Sequence, residues 1–363
     1  MAPRRGGGSY WGGYGDYNPW SETILLSVKR SGRYYGDNYE ELFYAQFAFD
    51  LLCLIAFAVF LIWASRFRSQ GLPLPSIISA LVCFILYEIL VVIYEGLVVA
   101  ETLVTYYYLI ISMLWELFVV VAIAITFHIF WSFIHRFLAR LSDSGRPSSA
   151  VAAVHWIFFS IIFVVGLAEF ALTVVTYVYM VNPGAGDIYS MANAGARLGA
   201  ALKIIYWLMS MEILAWLAFI FVKSGRLMSK TPVITLIAGA VSWFAVCFGW
   251  AVVQIHYTLL VNPAPTYLSF AQSVIQLIFW IGTFTGILLC CGKWRTLGDA
   301  HEKHSVPQGP VSQYPSQYPH QDQAQYPAPY PEGQYAPAPQ PYATAPYQDY
   351  SAQSAQQQIP SPR

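Results

Sequence analysis

The sequence predicts an all-α fold, a polytopic seven-helix transmembrane bundle with disordered termini, from two observations. Hydrophobic residues make up 57% of the 363 positions and charged residues only 10%, whereas soluble domains carry roughly 25% charged residues. Seven apolar stretches also reach the length of about 20 residues that a helix needs to cross a bilayer. Lys plus Arg and Asp plus Glu both total 19, and this balance gives no indication of a nucleic-acid partner.

Each predicted span ends at a basic or helix-breaking segment. Arg66 and Arg68 follow the first span, and the pairs Asn182-Pro183 and Asn262-Pro263 follow the fourth and the sixth. The seven spans run over 42–66, 75–98, 103–130, 151–181, 197–223, 232–261 and 267–291. They divide the chain into a Gly/Tyr-rich extracytoplasmic tail over 1–41, a seven-span domain over 42–296 and a low-complexity Gln/Tyr/Pro-rich tail over 297–363, for which we predict disorder.

The distribution of basic residues predicts which end of the chain faces the cytosol, because cytosolic loops carry an excess of Lys and Arg. Here they cluster in the first, third and fifth loops and after the last span, at Arg66, Arg68, Arg136, Arg140, Arg146, Lys223, Arg226, Lys230, Lys293 and Arg295. An odd number of spans then places the amino terminus outside and the carboxyl terminus in the cytosol of a multi-pass protein of the plasma membrane or an endomembrane. Lys29, Arg30 and Arg33 favour the opposite orientation, although acidic residues between 37 and 41 give them local partners.

Three segments outside these spans each have two interpretations. Residues 23–28 are apolar but too short to span, and we predict a surface turn in preference to an interfacial helix. Residues 128–141 continue the third span with a polar stripe, as in a helix that leaves the bilayer along its inner surface, where it is either an anchor or an effector-docking surface. The carboxyl-terminal tail, with Gln-Tyr-Pro repeats at 313, 317 and 325, is either a binding segment for cytosolic proteins or a solubilising extension.

Ionisable and amide side chains inside the spans are the candidate functional residues, because such groups are costly in hydrocarbon and normally face the bundle interior. Four carboxyl groups lie near the midplane of four different spans, at Glu88, Glu116, Glu169 and Glu212. Further polar residues lie nearer the outer side, at Asp50, Glu95, Lys203, Gln254, His256, Gln272 and Gln276. They predict either an outward-opening cavity for a small cationic ligand or protons, or protonated packing contacts between helices.

The remaining motifs concern helix packing, lipid modification and enzymatic activity. Gly195 with Gly199 and Gly282 with Gly286 have the small-x-x-x-small spacing of helix contacts, which we assign to packing within the chain. Cys290 and Cys291, at the end of the last span, are candidates for palmitoylation or are simply small apolar residues. Three histidines, at 128, 135 and 155, gather at the inner ends of two spans without a recognisable carboxylate partner, so we predict no zinc site. With no phosphate loop or nucleophile motif, we predict no cofactor and no enzymatic activity.

In its architecture the chain resembles seven-transmembrane receptors, and its tail looks like those of some invertebrate opsins and of uncharacterised fungal multispan membrane proteins. His135-Arg136-Phe137 stands where the rhodopsin-like family has Asp-Arg-Tyr, Asn262-Pro263 precedes the seventh span instead of lying in it, and that span has no Lys for retinal. The resemblance implies a receptor or sensor with a polar cavity in the outer half of the bundle. A proton- or cation-coupled transporter using the midplane Glu residues, and a structural membrane organiser acting through its tail, remain alternatives.

Overall fold

A computed structural model describes residues 18–29, 38–67, 72–142, 149–182, 187–223 and 230–294. Within these ranges seven helices are long and apolar enough to cross a membrane, which confirms the predicted fold class. They are α1 (Tyr39–Ser65), α2 (Leu74–Val99), α3 (Leu109–Leu141), α4 (Ser149–Val181), α5 (Ile188–Lys223), α6 (Thr231–Val253) and α7 (Leu268–Lys293). A wider π-helical turn, Gln254–Leu259, continues α6.

The helices form a ring in which each packs against the next, α7 returns to α1, and α3 also contacts α5. Phe49 near the start of α1 packs against Phe270 near the start of α7, with ring centroids 5.6 Å apart. Phe137 near the end of α3 packs against Trp294, just after α7, at 5.0 Å. Odd-numbered helices therefore run in one direction. We call the side on which α1 begins the N-terminal face, the side on which α7 ends the C-terminal face, and the corresponding parts of the bundle its N-terminal and C-terminal halves.

The two halves differ in packing density. In α3 no residue between Ser112 and Val120 is fully buried, whereas most of the residues from Val120 to Phe137 are. In α4 none is fully buried between Gly166 and Val181. Along α3 the bundle is therefore more tightly packed toward the C-terminal face than toward the N-terminal face, whereas α4 has few buried residues along its whole length.

Glycines set the closest helix contact in the C-terminal half. A Cβ atom placed on Gly286 of α7 would lie 2.5 Å from the backbone of Gly239 in α6, a separation that side chains do not tolerate, so both positions need glycine. Gly282 faces Ser242 and Gly199 faces Glu169, each on a neighbouring helix. These contacts confirm packing within the chain for Gly199, Gly282 and Gly286.

The amino-terminal segment docks on the N-terminal face, which differs from the predicted surface turn. Strand β1 (Thr23–Leu25) pairs antiparallel with β2 (Leu103–Thr105), in the connection between α2 and α3. Leu26 and Val28 then pack against Val98 of α2. The six residues 23–28 gave no sign of this pairing because the partner strand is distant in sequence.

An ion pair closes this contact where α2 ends. Lys29 Nζ lies 3.2 Å from Glu101 Oε1, a partner that the sequence did not indicate, and it also interacts electrostatically with Glu40, one of the predicted local partners. The hydrogen bond from Lys29 and the negative charge of Glu101 raise the pKa of this lysine. Glu101 has a φ of 49°, the left-handed conformation that ends many helices, although a glycine is usual there.

The stretch over 128–141 continues the third span, as predicted, and forms the end of α3. Its Phe130, Phe133 and Phe137 are fully buried in the bundle core, and Phe133 and Phe137 pack against Trp294 just after α7. One further prediction about helix limits is wrong. The fifth helix begins at Ile188, ahead of the predicted span. The predicted disordered tail over 297–363 and most of the predicted amino-terminal tail lie outside the described residues.

Candidate functional site

The structure separates the predicted site residues into three polar groups. Asp50, Glu88 and Glu95 lie together between α1 and α2, and Glu116, Glu169 and Lys203 lie between α3, α4 and α5. Glu212 lies apart from both, against histidines of α3 and α4. The four midplane Glu residues therefore do not converge on one cavity.

The first group, which we call the carboxyl cluster, is almost fully buried in the N-terminal half. Gln46 Nε2 donates a 2.8 Å hydrogen bond to Glu95 Oε1, and Asp50 is within hydrogen-bonding reach of Glu95 and of Ser273 in α7. Glu95 Oε2 is buried and has no hydrogen-bond partner among the described residues. This cluster thus brings polar side chains of α1, α2 and α7 together in the bundle core.

The second group, which we call the ammonium crevice, is centred on Lys203. Its Nζ lies 4.0 Å from Glu169 Oε1, and the two side chains keep 19% and 15% of their accessible surface. Gly199, one turn before Lys203 on α5, leaves the space that the Glu169 carboxylate fills. Both charged side chains therefore remain partly accessible.

Aromatic rings complete the lining of the crevice. Lys203 Nζ lies 5.4 Å from the ring centre of Tyr206 and 5.9 Å from that of Trp250, within the range of cation–π attraction. Glu116 interacts electrostatically with both Lys203 and Glu169, and its Oε1 accepts a 3.2 Å hydrogen bond from Trp115 Nε1. Two carboxyl groups thus face one ammonium group.

The third group, which we call the His–Glu chain, crosses from α3 to α5 in the C-terminal half. His155 Nε2 lies 2.7 Å from Glu212 Oε1, and its Nδ1 lies 2.7 Å from His135 Nε2. Trp131 Nε1 donates a 3.0 Å hydrogen bond to Glu212 Oε2, and its ring stacks on His155 at 5.3 Å. Only 2% of the His155 side chain is exposed.

Sequence reasoning missed this chain, because it placed Glu212 with the other midplane carboxyl groups and left the histidines without a carboxylate partner. The sequence signal that could have revealed the chain is the depth of each of its residues in the bundle, counted from the same face. His135 is close to the end of α3, His155 is close to the start of α4, and Glu212 is in the last third of α5. Within the described ranges, no three His, Cys, Asp or Glu side chains are arranged to hold a metal ion.

A small cavity adjoins the His–Glu chain. It has a volume of about 40 Å³ and is lined by His128, Ser132, His135 and Trp156, among others, which is enough for one or a few water molecules. Ser132 Oγ lies 3.4 Å from His128 Nε2. The cavity therefore combines polar side chains with the half-exposed end of the chain.

The remaining predicted residues lie near the N-terminal face. Gln254 Oε1 accepts a 2.8 Å hydrogen bond from Thr258, and the backbone oxygen of His256 accepts one of 3.0 Å from Asn262. These bonds hold the π-helical turn after α6. Gln272 and Gln276 are half-buried on α7, on either side of the buried Ser273.

Cys290 and Cys291 are buried at the end of α7, with 0% and 1% of their surface exposed. An acyltransferase needs an accessible thiol, so palmitoylation at either position requires the helix end to open. Modification here stays a prediction.

No family model, no curated protein and no solved structure matches the chain. The contacts of the carboxyl cluster, the ammonium crevice and the His–Glu chain therefore carry the functional interpretation.

Proposed function

We propose that this integral membrane protein is a receptor or sensor, without enzymatic activity, that binds a small organic cation in the ammonium crevice. One observation carries the proposal: an accessible ammonium group lies between a carboxylate and two aromatic rings in the crevice. Lys203 thereby occupies the kind of environment that recognises amines, since carboxylates and the faces of Tyr and Trp both attract ammonium groups.

The charge of the crevice favours a cation over an anion. Glu116 and Glu169 together offer two carboxyl groups, while Lys203 supplies a single positive charge. Glu169 Oε2 is buried and has no hydrogen-bond partner among the residues that the structure describes. A buried acceptor without a partner costs about 1–3 kcal/mol, so a ligand N–H group placed there restores a lost interaction.

The loose packing of α3 and α4 gives such a ligand a route. No residue between Ser112 and Val120, or between Gly166 and Val181, is fully buried. These two stretches lie at the level of Glu116 and Glu169. The route leads toward the N-terminal face. For this reason we assign binding to the N-terminal half.

Calorimetry on the full-length chain in lipid nanodiscs tests the proposal with phenethylamine, a primary ammonium joined to an aromatic ring, as the probe. We expect wild type to bind the amine, Glu169→Gln to bind it at least tenfold more weakly, and Glu88→Gln to resemble wild type. Glu88→Gln is the matched control, because it makes the same change in the carboxyl cluster. Equal affinity for neutral phenethyl alcohol, or an unchanged affinity in Glu169→Gln, contradicts the proposal.

Proton-coupled transport is the second candidate, favoured by titratable groups in both halves of the bundle. Asp50 and Glu95 lie close together in the N-terminal half, while Glu212 bonds to a histidine in the C-terminal half. Transport predicts that proteoliposomes accumulate phenethylamine when a pH gradient is imposed and lose it when a protonophore is added. Binding without accumulation favours the receptor.

We further propose that the N-terminal face lies outside, so that the crevice opens away from the cytosol, and that the tail over 297–363 binds cytosolic proteins. The basic residues of the first, third and fifth loops support this orientation. Protease added to intact cells should spare a tag placed after Arg363. Loss of that tag reverses the orientation, and a phenotype that depends only on the tail favours the structural organiser.

A further inference from the structure

The proton positions in the His–Glu chain follow from its contacts. Trp131 Nε1 can only donate, so Glu212 Oε2 accepts its hydrogen bond. With Glu212 as a carboxylate, Oε1 also accepts, and His155 Nε2 must carry the proton of that 2.7 Å contact. A neutral imidazole has one donor and one acceptor, so His155 Nδ1 accepts from His135 Nε2. Both histidines then carry their proton on the nitrogen nearer to Glu212.

This arrangement leaves a single open acceptor, Nδ1 of His135. His135 is half-buried, lines the small cavity with Ser132, and ends the chain on α3. A water molecule in that cavity can reach the imidazole of His135. His155 also lines the cavity, but both of its ring nitrogens are engaged, one by His135 and the other by Glu212. A proton that comes from the cavity therefore enters the chain through His135.

We infer that His135, His155 and Glu212 form a proton relay that carries a proton from the cavity beside α3 to the Glu212 carboxylate. A proton binds His135 Nδ1, the Nε2 proton of His135 passes to His155 Nδ1, and the Nε2 proton of His155 passes to Glu212. The products are two neutral histidines, each now protonated on Nδ1, and a neutral carboxylic acid. One proton is taken up and no other bond changes. Reversal of the same steps returns the proton to the cavity, whereas loss of the proton from Glu212 leaves both histidines protonated on Nδ1, and each must return to its Nε2 tautomer before the next transfer.

The surroundings suit a relay. The titratable groups acting on His135 are His155, His128 and Glu212, which come from the three helices that pack together here. The nearest arginines of α3 face α7 instead, since Arg140 lies 4.6 Å above the ring of Trp294 and Arg136 interacts with Cys291. Glu212 keeps 22% of its side-chain surface accessible, so a proton delivered there can leave again. The relay does not depend on the ammonium crevice.

Trp131 reports on the relay because its ring stacks on His155 and its indole N–H bonds to Glu212. The experiment is a stopped-flow jump from pH 8 to pH 5 on the full-length protein in nanodiscs, with the signal defined as the fluorescence lost in Trp131→Phe. Histidine exchanges protons in this pH range. We expect a single phase in wild type, no phase in His155→Phe, and wild-type amplitude and rate in the control His256→Gln, which removes a histidine at the opposite face.

Variants of His135 distinguish a proton relay from a simple titration of His155. His135→Asn keeps an amide that can hydrogen-bond His155 but cannot pass a proton, so it protects the fold if His135→Phe fails to insert. We expect either variant to retain the amplitude and slow the phase at least tenfold. An unchanged rate in His135→Asn, or a wild-type phase in Glu212→Gln, overturns the relay.

Discussion

The N-terminal and C-terminal halves of the bundle are built from the same seven helices but differ in how tightly those helices pack. In the C-terminal half, aromatic residues such as Phe133 and Phe137 are fully buried and glycines bring α6 and α7 into backbone contact. In the N-terminal half, the first third of α3 and the second half of α4 have no fully buried residues over many positions. Both halves nevertheless hold a partly accessible carboxylate, Glu169 in the N-terminal half and Glu212 in the C-terminal half.

The largest expected effect compares two Phe residues of one helix. Phe133 is fully buried in the C-terminal half, whereas Phe118 is partly accessible in the N-terminal half. Phe133→Ala should lower the free energy of unfolding by about 3 kcal/mol, since an unfilled cavity follows the loss of a buried ring. Phe118→Ala should cost roughly 1 kcal/mol or less. Unfolding with SDS in mixed micelles measures both, and equal losses would remove the proposed difference between the halves.

The second prediction concerns the glycine contact. Gly286→Ala forces a Cβ atom to within 2.5 Å of the Gly239 backbone, and overpacking of this kind costs about 1–3 kcal/mol. Gly96→Ala is the control, because nothing lies within 4 Å of a Cβ atom there and alanine is the better helix former. The same unfolding assay should show a loss for Gly286→Ala and no loss for Gly96→Ala; the reverse order contradicts the close contact.

A smaller difference is expected between two carboxyl groups. Glu212→Gln replaces one of the two carboxylate oxygens, of which Oε1 contacts His155 and Oε2 accepts from Trp131, so we expect a loss of about 1–2 kcal/mol. Glu116→Gln keeps an amide oxygen for Trp115, and a hydrogen bond within a membrane contributes only about 0.6 kcal/mol on average. Comparable losses in both variants indicate that Glu116 is packed as tightly as Glu212.

The smallest effect concerns the pair that fastens the amino-terminal segment. The pKa of Lys29 is raised in the folded protein by its hydrogen bond to Glu101 and by that charge. The contribution of the pair is therefore complete below the ordinary lysine value, about pH 10.4, and is lost as the pH rises through the folded value. Protease cleavage within residues 18–29 should accelerate over that range in wild type. In Lys29→Met, cleavage should be faster at neutral pH and lack this dependence.

Span positions could be predicted because they depend only on the length and polarity of each segment. The neighbours of a side chain depend also on the order of the helices in the ring and on the depth of the residue below a common face. Helical periodicity predicts neither of them. Glu212 illustrates this: its spacing from Lys203 indicated two different faces of α5, but only the ring placed His155 beside one of them. The charged residues of the ammonium crevice were foreseen individually, whereas their pairing and the two aromatic rings beside Lys203 were not.

The end of α3 shows a different limit. Its stripe of Ser, His and Arg resembles that of a helix lying on a membrane surface, and sequence reasoning assumed that the aromatic side faced lipid. The aromatic side instead packs into the bundle, where Phe133 and Phe137 contact Trp294. Amphipathicity indicates that one side is buried, and it does not say whether lipid or protein buries it.

The pairing of β1 with β2 has a consequence for biosynthesis. Thr23 pairs with Thr105, so β1 emerges from the ribosome well before its partner, by roughly 4–16 seconds at ordinary rates of synthesis. During that interval the first two helices must enter the bilayer while the strand waits with an open edge. β1 and β2 can meet only if they lie on the same side of the membrane. Their pairing therefore indicates that the hairpin of α1 and α2 has been inserted with both its ends on that side.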